Sequence, residues 1–194
     1  MRLNLNVKPF GMYKRVLEAA QTFQKFIIYP EPSLPTEIIN EMDASLEKSL
    51  KERKERYDLF AYKDSEIKTL STEKLEDLGV IVDRDIDGVY CNYEEDQALQ
   101  SLLKKDNFYV IIHHTHIFDD VPSIEDLTYP RELGFPDMSV ISRPRKPRLF
   151  IDVNKLKQTD EEEIFKSLNT LTELLTPPIF LLFGPKVVSR TKTK

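Results

Sequence analysis

The chain has 194 residues, 40% of them hydrophobic and 10% aromatic, so it is long enough for one domain with a buried core, or one domain with a small appendage. Its net charge of −5 argues against a general nucleic-acid binder, which would need an excess of positive charge on one face. The single cysteine, Cys91, excludes an internal disulfide framework and fits a reducing compartment.

The first residues of the chain alternate between polar and apolar types, without the long apolar run of a signal peptide. The longest apolar stretch, 178–183, is too short to cross a bilayer, so we expect no membrane partner. The prediction is a soluble protein of the cytoplasm.

The first 35 residues are predicted to form an N-terminal extension that packs on the core. They combine a short strand at 3–7, a helix over 12–24 and a loop with three prolines. A second helix is expected from Thr36, and its later part is densely charged, as on a solvated face. The apolar spacing predicts that its buried face carries Ile39, Met42, Leu46 and Leu50.

The rest of the chain alternates between strand and helix patterns. Runs rich in β-branched and aromatic residues, bounded by turn residues, predict strands at 57–62, 67–70, 80–82, 88–92, 109–116, 138–142 and 148–153. Helices are predicted over 94–105, 123–133 and 159–175, the first with Ala98, Leu99, Leu102 and Leu103 facing inward.

This alternation predicts an α/β fold in which helices flank one mixed β-sheet. The main domain is expected to cover 36–185. The charged tail, 186–194, is expected to be disordered.

All three histidines lie within four residues, at the end of an apolar, β-rich run. Side chains alternate faces along a strand, so His114 and His116 share one face and His113 lies on the other. A carboxylate, Asp126, follows ten residues after His116. Two imidazoles and one carboxylate suit Zn²⁺ with a fourth position open, which is the ligand set of a catalytic rather than a structural zinc site.

Each part of this pattern also has a simpler explanation. The segment Ser123-Ile-Glu-Asp126 follows a proline and is close to a capping box, which starts a helix without any chemistry. Two histidines at the end of a strand often only form hydrogen bonds in half-buried positions. A carboxylate in the first turn of a helix can cap that helix and still reach a metal, so capping and metal binding are compatible.

His114-Thr-His116, followed by Pro-Ser123-Ile-Glu-Asp126, resembles the metal motif of the JAMM/MPN (JAB-domain) zinc metalloprotease family. The order of the predicted elements over 36–153 is also similar to that family. The resemblance implies an MPN/JAB-like architecture, which is a cytidine-deaminase-like layered α/β fold. It also implies that His114, His116 and Asp126 hold zinc.

The resemblance further implies an activity and its residues. The substrate would be a peptide or isopeptide bond in a protein, including a conjugate with a ubiquitin-like protein. Ser123 would help to stabilise the oxyanion. Glu55 is the nearest counterpart of the family's glutamate, which handles the proton of the attacking water, and Glu52 is the alternative.

The chain departs from the family pattern at three points. Ile117 replaces the usual proline, nine rather than ten residues separate His116 from Asp126, and Asp58 stands where a glycine is usual. These departures keep a second hypothesis open, in which a catalytically silent MPN-like module binds partners through 43–56 or 159–175. Under a third hypothesis no metal binds, and the two histidines only form hydrogen bonds.

Other enzyme classes fit the sequence less well. Phosphoesterases and amidohydrolases that begin with a similar histidine pair need more histidines downstream, and none follows His116. A cysteine protease would need Cys91 beside an activating base, whereas its Val-Tyr-Cys-Asn context predicts a strand residue that only packs.

Overall fold

A computed structural model describes residues 9–28, 31–118 and 122–175. This part of the chain has a mixed α/β fold with seven strands. In chain order they are β1 (Tyr57–Lys63), β2 (Glu66–Leu70), β3 (Ile81–Arg84), β4 (Val89–Cys91), β5 (Tyr109–Thr115), β6 (Met138–Ser142) and β7 (Leu149–Asp152).

Five of these strands form one sheet in the order β2-β1-β5-β6-β7, while β3 and β4 form a separate hairpin. Strands β5 and β6 pair in parallel, and the other neighbours in the large sheet are antiparallel. The prediction of a mixed sheet is therefore confirmed. Strand β5 lies at the centre, and its run of Val110, Ile111 and Ile112 is buried on both faces, as a central strand requires.

Helices cover both faces of the sheet, as the sequence predicted. In chain order they are α1 (Pro9–Gln24), α2 (Thr36–Glu52), α3 (Thr72–Asp77), α4 (Tyr93–Lys105), α5 (Glu125–Leu133), α6 (Val153–Gln158) and α7 (Glu161–Leu175). On one face Val110 and Ile112 pack with residues of α3, α4 and the β3–β4 hairpin. On the other face Ile111 packs with Ile38 and Met42 of α2.

Two helices bury faces that differ in part from those predicted. The buried residues of α2 are Ile38, Met42, Ser45 and Ser49, so the predicted face is wrong apart from Met42. In α4 Leu99 and Leu103 face the core as predicted, but Leu102 is 60% exposed. Asp96 and Gln100 are buried there instead. The reason is the same in both helices, because buried polar side chains hydrogen-bond to partners on the sheet and an apolar pattern cannot reveal those partners.

The segment between α1 and the proline-rich loop lies against the last strand of the sheet. Ile27 forms a bridge with Ile151 of β7, and the Ile28 amide donates to the Phe150 carbonyl at 3.0 Å. On the other side of that bridge, the Asp152 amide donates to the Phe26 carbonyl at 2.8 Å. Residues 26–28 therefore cover the outer edge of β7.

Two predicted features lie outside the described residues, namely the short strand at 3–7 and the tail at 186–194. The short helices α3 and α6 were not predicted, because six residues are too few to show helical periodicity. Within the described ranges, no helix combines the length and apolar character needed to cross a membrane.

Candidate metal centre

The two histidines predicted to share a face meet at the end of β5. His114 is the penultimate residue of that strand, and His116 is the first residue after it. Their Nε2 atoms lie 2.8 Å apart, and their side chains are 12% and 5% exposed. The alternation along β5 therefore brings both imidazoles to one side of the sheet, with their Nε2 atoms facing each other.

Asp126 reaches the same point from the first turn of α5. Its Oδ1 atom lies 2.8 Å from His114 Nε2, and its Oδ2 atom lies 3.0 Å from His116 Nε2. These three residues form a group whose ligand atoms all lie within 4.8 Å of one another. Residues that are up to twelve positions apart in the sequence thus present two nitrogens and a carboxylate to one position.

The donor set fits a zinc ion. Zinc bonds of about 2.0–2.1 Å with tetrahedral angles place neighbouring ligand atoms about 3.3 Å apart. The observed separations of 2.8–3.0 Å would need to widen by only a few tenths of an ångström. Magnesium and calcium prefer sets made of oxygen atoms alone, so the two imidazoles favour a transition metal or zinc.

The charge state of Asp126 also suits a metal ligand. Burial by itself would raise the pKa of this carboxyl, but the charge and hydrogen bonds of His114 and then of His116 outweigh burial. Together they hold the pKa of Asp126 well below its usual range. The carboxyl is therefore ionised at neutral pH, which is the form that binds metals.

Ser123 and Asp126 form the capping box that the sequence suggested. The Ser123 amide donates to Asp126 Oδ2 at 2.6 Å, and the Asp126 amide donates to Ser123 Oγ at 3.1 Å. These bonds fix the Asp126 carboxylate with both of its oxygens turned toward the histidines. Because Ser123 Oγ acts as an acceptor here, its own hydrogen stays available to a group in front of it.

Glu55 and Glu52, the two candidates for the general base, have different surroundings. Glu55 precedes β1, is 6% exposed and lines the same cleft as His114 and His116. Glu52 lies at the end of α2 and forms ion pairs with Arg84 at 3.0 Å and with Arg56 at 3.6 Å. It is absent from the described residues that line the cleft, so the geometry favours Glu55.

The cleft in front of His114, His116 and Asp126 has a volume of about 540 Å³. Its wall is largely aromatic and aliphatic, and includes Tyr57, Val89, Tyr90, Ile112 and Tyr129. Carboxylates line it as well, and none of the described residues around it is a lysine or an arginine. The cleft therefore favours apolar or cationic groups and disfavours phosphates.

A buried polar cluster behind this wall was missed by the sequence reasoning. Asp96 is fully buried, and its Oδ2 atom accepts hydrogen bonds from the hydroxyls of Tyr57 and Tyr129, both at 2.7 Å. Gln100 Nε2 donates to the other carboxylate oxygen at 2.9 Å. The tyrosine hydroxyls are thus used inside the protein, and the rings remain as the apolar surface of the cleft.

Cys91 also lines the cleft, and its thiol is expected to react slowly. Burial, and then the nearby charge of Asp96, raise the pKa of Cys91 to about 12. Only the thiolate attacks an alkylating agent, so iodoacetamide should modify the native protein at pH 8 about a thousandfold more slowly than an ordinary thiol. Mass spectrometry gives a direct reading, because the chain has one cysteine.

The matched control for this experiment is the same protein in 6 M guanidinium chloride, where the thiol is exposed. It should be fully alkylated within minutes. Equal rates in the native and unfolded protein would contradict the buried thiol, and would reopen the cysteine-protease hypothesis.

His113 points away from the candidate metal centre. It is fully buried on the opposite face of β5, where its Nδ1 atom lies 3.2 Å from Asp58 Oδ2 and its Nε2 atom lies 2.9 Å from Ser142 Oγ. The structure therefore separates the adjacent histidines as strand alternation predicted.

A comparison of the chain with known protein families, with curated proteins and with solved structures finds no match.

Proposed function

We propose that this chain is a zinc-dependent metallopeptidase of the JAMM/MPN type, which cleaves a peptide or isopeptide bond in a protein substrate. The observation that carries this proposal is the convergence of His114, His116 and Asp126 at a cleft that Glu55 and Ser123 also line. The MPN/JAB form of the layered fold belongs to the same proposal, and the order of the elements supports it.

Bound zinc would supply a Lewis acid, which polarises a carbonyl and lowers the pKa of a water molecule to about 7. Glu55 would accept the proton of the attacking water and return it to the leaving amine. The Ser123 hydroxyl would donate its hydrogen bond to the oxyanion that develops on the substrate. His114, His116 and Asp126 would hold their positions through β5 and the capped start of α5.

The character of the cleft supports a protein substrate over a nucleic acid. Phosphates would meet the Asp87 and Glu125 carboxylates without a lysine or arginine in the described lining to balance them. An extended peptide can instead place apolar groups against the ring of Tyr129. A conjugate with a ubiquitin-like protein is the substrate that the family resemblance adds to this proposal.

Replacing Glu55 by glutamine is expected to leave zinc bound and to lower turnover by about 10²–10⁴-fold, the usual contribution of a general base. Glutamine keeps the size of the side chain but does not accept the proton. Zinc is measured by elemental mass spectrometry of the purified protein. Turnover is measured with a fluorescent peptide joined through a lysine ε-amino group to the C-terminus of ubiquitin, and with fluorescent casein for peptide bonds.

The matched control is Glu52→Gln, which makes the same chemical change three residues earlier and outside the cleft. It should retain both zinc and activity. Wild-type protein with less than a tenth of an equivalent of zinc, and none taken up on addition, would refute the metal site. Full zinc content with no turnover of either substrate would instead favour the silent, partner-binding module.

A further inference from the structure

The buried hydrogen bonds of His113 connect the three central strands of the sheet. Strand β5, which carries His113, lies between β1 and β6. On one side the imidazole contacts Asp58 of β1, and on the other side it contacts Ser142 of β6. All three residues are at most 2% exposed. One imidazole thus ties together the strands that surround the metal ligands.

The Asp58 carboxylate is held firmly at its end of this chain of hydrogen bonds. Its Oδ1 atom accepts from the Thr72 amide at 2.8 Å and from the Thr72 hydroxyl at 2.9 Å. Its Oδ2 atom accepts from the Ser45 hydroxyl, and the Arg56 guanidinium lies 3.7 Å from Oδ1. Partners on α2, on α3 and before β1 therefore leave this carboxylate little freedom to move.

Ser142 connects the same hydrogen bonds to the metal ligands. Its hydroxyl contacts His113, and its backbone carbonyl accepts a hydrogen bond from the His116 amide at 2.9 Å. His116 follows the last residue of β5, so this bond fixes its backbone just beyond the end of the strand. A shift of Ser142 would therefore move the backbone of one metal ligand.

Burying charged and polar groups costs free energy, and apolar side chains in the same place would not carry that cost. A role beyond packing is therefore expected for this buried polar network. Asp, His and Ser in this order also activate nucleophiles in hydrolases. Here Ser142 is 1% exposed, and neither it nor His113 is among the described residues that line the cleft, so its hydroxyl is out of reach of a substrate. Positioning of the neighbouring ligands is the role that the contacts support.

We infer that Asp58, His113 and Ser142 are positioning residues, which hold the backbone of His114 and His116 where both imidazoles reach one metal ion. This inference rests on the proposed metal site. It gives a function to Asp58, one of the departures from the family pattern, because an aspartate at this position supplies the acceptor for His113. The network acts on the ligands from behind, much as groups outside the coordination sphere orient histidine ligands in other metal sites.

The experiment compares two serines of the same strand. Ser142→Ala removes the hydroxyl that contacts His113 but keeps the backbone carbonyl that holds His116. Ser139→Ala is the matched control, since Ser139 is equally buried and its hydroxyl has no hydrogen-bond partner among the described residues. Ser142→Thr restores the hydroxyl and tests rescue. The probes are zinc, titrated against a chelator, and cobalt, whose visible spectrum reports the ligand geometry.

Ser142→Ala is expected to weaken zinc binding about tenfold and to change the cobalt spectrum, the size of effect seen when support for a ligand is lost. Ser139→Ala should change neither quantity, and Ser142→Thr should restore both. The melting temperatures of the metal-free proteins show whether a variant is less stable in general, apart from its change in zinc affinity. Equal zinc affinity and equal cobalt spectra for both alanine variants would overturn the positioning role alone, whereas a wild-type protein that binds neither metal would overturn the metal site itself.

Discussion

Replacing His116 by alanine is expected to abolish zinc binding, whereas replacing His113 by alanine should leave about one zinc per chain at saturating metal. His116 supplies one of three converging ligand atoms, and two remaining ligands hold zinc far more weakly than three. His113 lies on the other face of β5 and cannot reach that position. Zinc content after dialysis, and the fall in melting temperature on adding a chelator, are the two measurements.

His114→Ala should behave like His116→Ala, which makes it the internal control for the metal site. His113→Ala should instead lower the free energy of unfolding of the metal-free protein by about 1–3 kcal/mol, because Asp58 and Ser142 lose a buried partner. Its zinc affinity should fall about tenfold, as for Ser142→Ala. Loss of metal in His113→Ala together with retention in His116→Ala would mean that the two faces of β5 are assigned the wrong way round.

Replacing Arg56 by alanine is expected to lower the free energy of unfolding by about 3–5 kcal/mol, the usual cost of breaking a buried ion pair from one side. Its guanidinium is 3% exposed and donates to both carboxylate oxygens of Glu73, at 2.7 and 2.9 Å. It also donates to Ser45 and lies beside Asp58. Without it, the buried Asp58 carboxylate loses the guanidinium that lies 3.7 Å from its Oδ1 atom. Urea denaturation of the metal-free protein measures the change.

Lys51→Ala is the matched control, because it removes a cation from the exposed surface of α2, five residues earlier. It should change the free energy of unfolding by no more than about 0.5 kcal/mol. A decrease of less than about 1 kcal/mol in the free energy of unfolding of Arg56→Ala would show that the charge of the guanidinium contributes little to stability.

The same substitution has a signature in the pH dependence of stability. Hydrogen bonds from Arg56, partly opposed by burial, hold the pKa of Glu73 far below its usual range. A carboxyl of this kind adds stability above its unfolded pKa, about 4.3, and that stability is lost as the pH falls toward the lower folded pKa. Wild-type protein should therefore lose more stability than Arg56→Ala between pH 5 and the acid limit of folding.

Local patterns predicted the strands of the large sheet well. Turn residues bound each strand, and the apolar runs of β5 and β6 are those of buried strands. The pair His114 and His116, with His113 opposed, followed from alternation alone, and Asp126 followed from its place at the start of a helix. These features depend on residues that are close in sequence, which is why the sequence revealed them.

The features that sequence reasoning missed depend on distant partners. Asp58 and Ser142 are separated from His113 by 55 and 29 residues, so nothing near any of them indicates that they meet. The inward faces of α2 and α4 were predicted only in part for the same reason, because Ser45 and Asp96 are buried through bonds to residues on the sheet. Apolar periodicity predicts which helix packs, but it does not identify buried polar contacts.

The bridge between Ile27 and Ile151 has a consequence for folding and for the choice of a truncated chain. It joins positions 124 residues apart, so residues 26–28 have no strand partner during synthesis until β7 itself has emerged. A chain that began at residue 36 would keep His114, His116 and Asp126. It would lack residues 26–28, so the backbone groups of β7 that these residues cover would lose those partners. An open edge of this kind pairs readily with other chains, so the shortened protein should aggregate during refolding where the full chain does not.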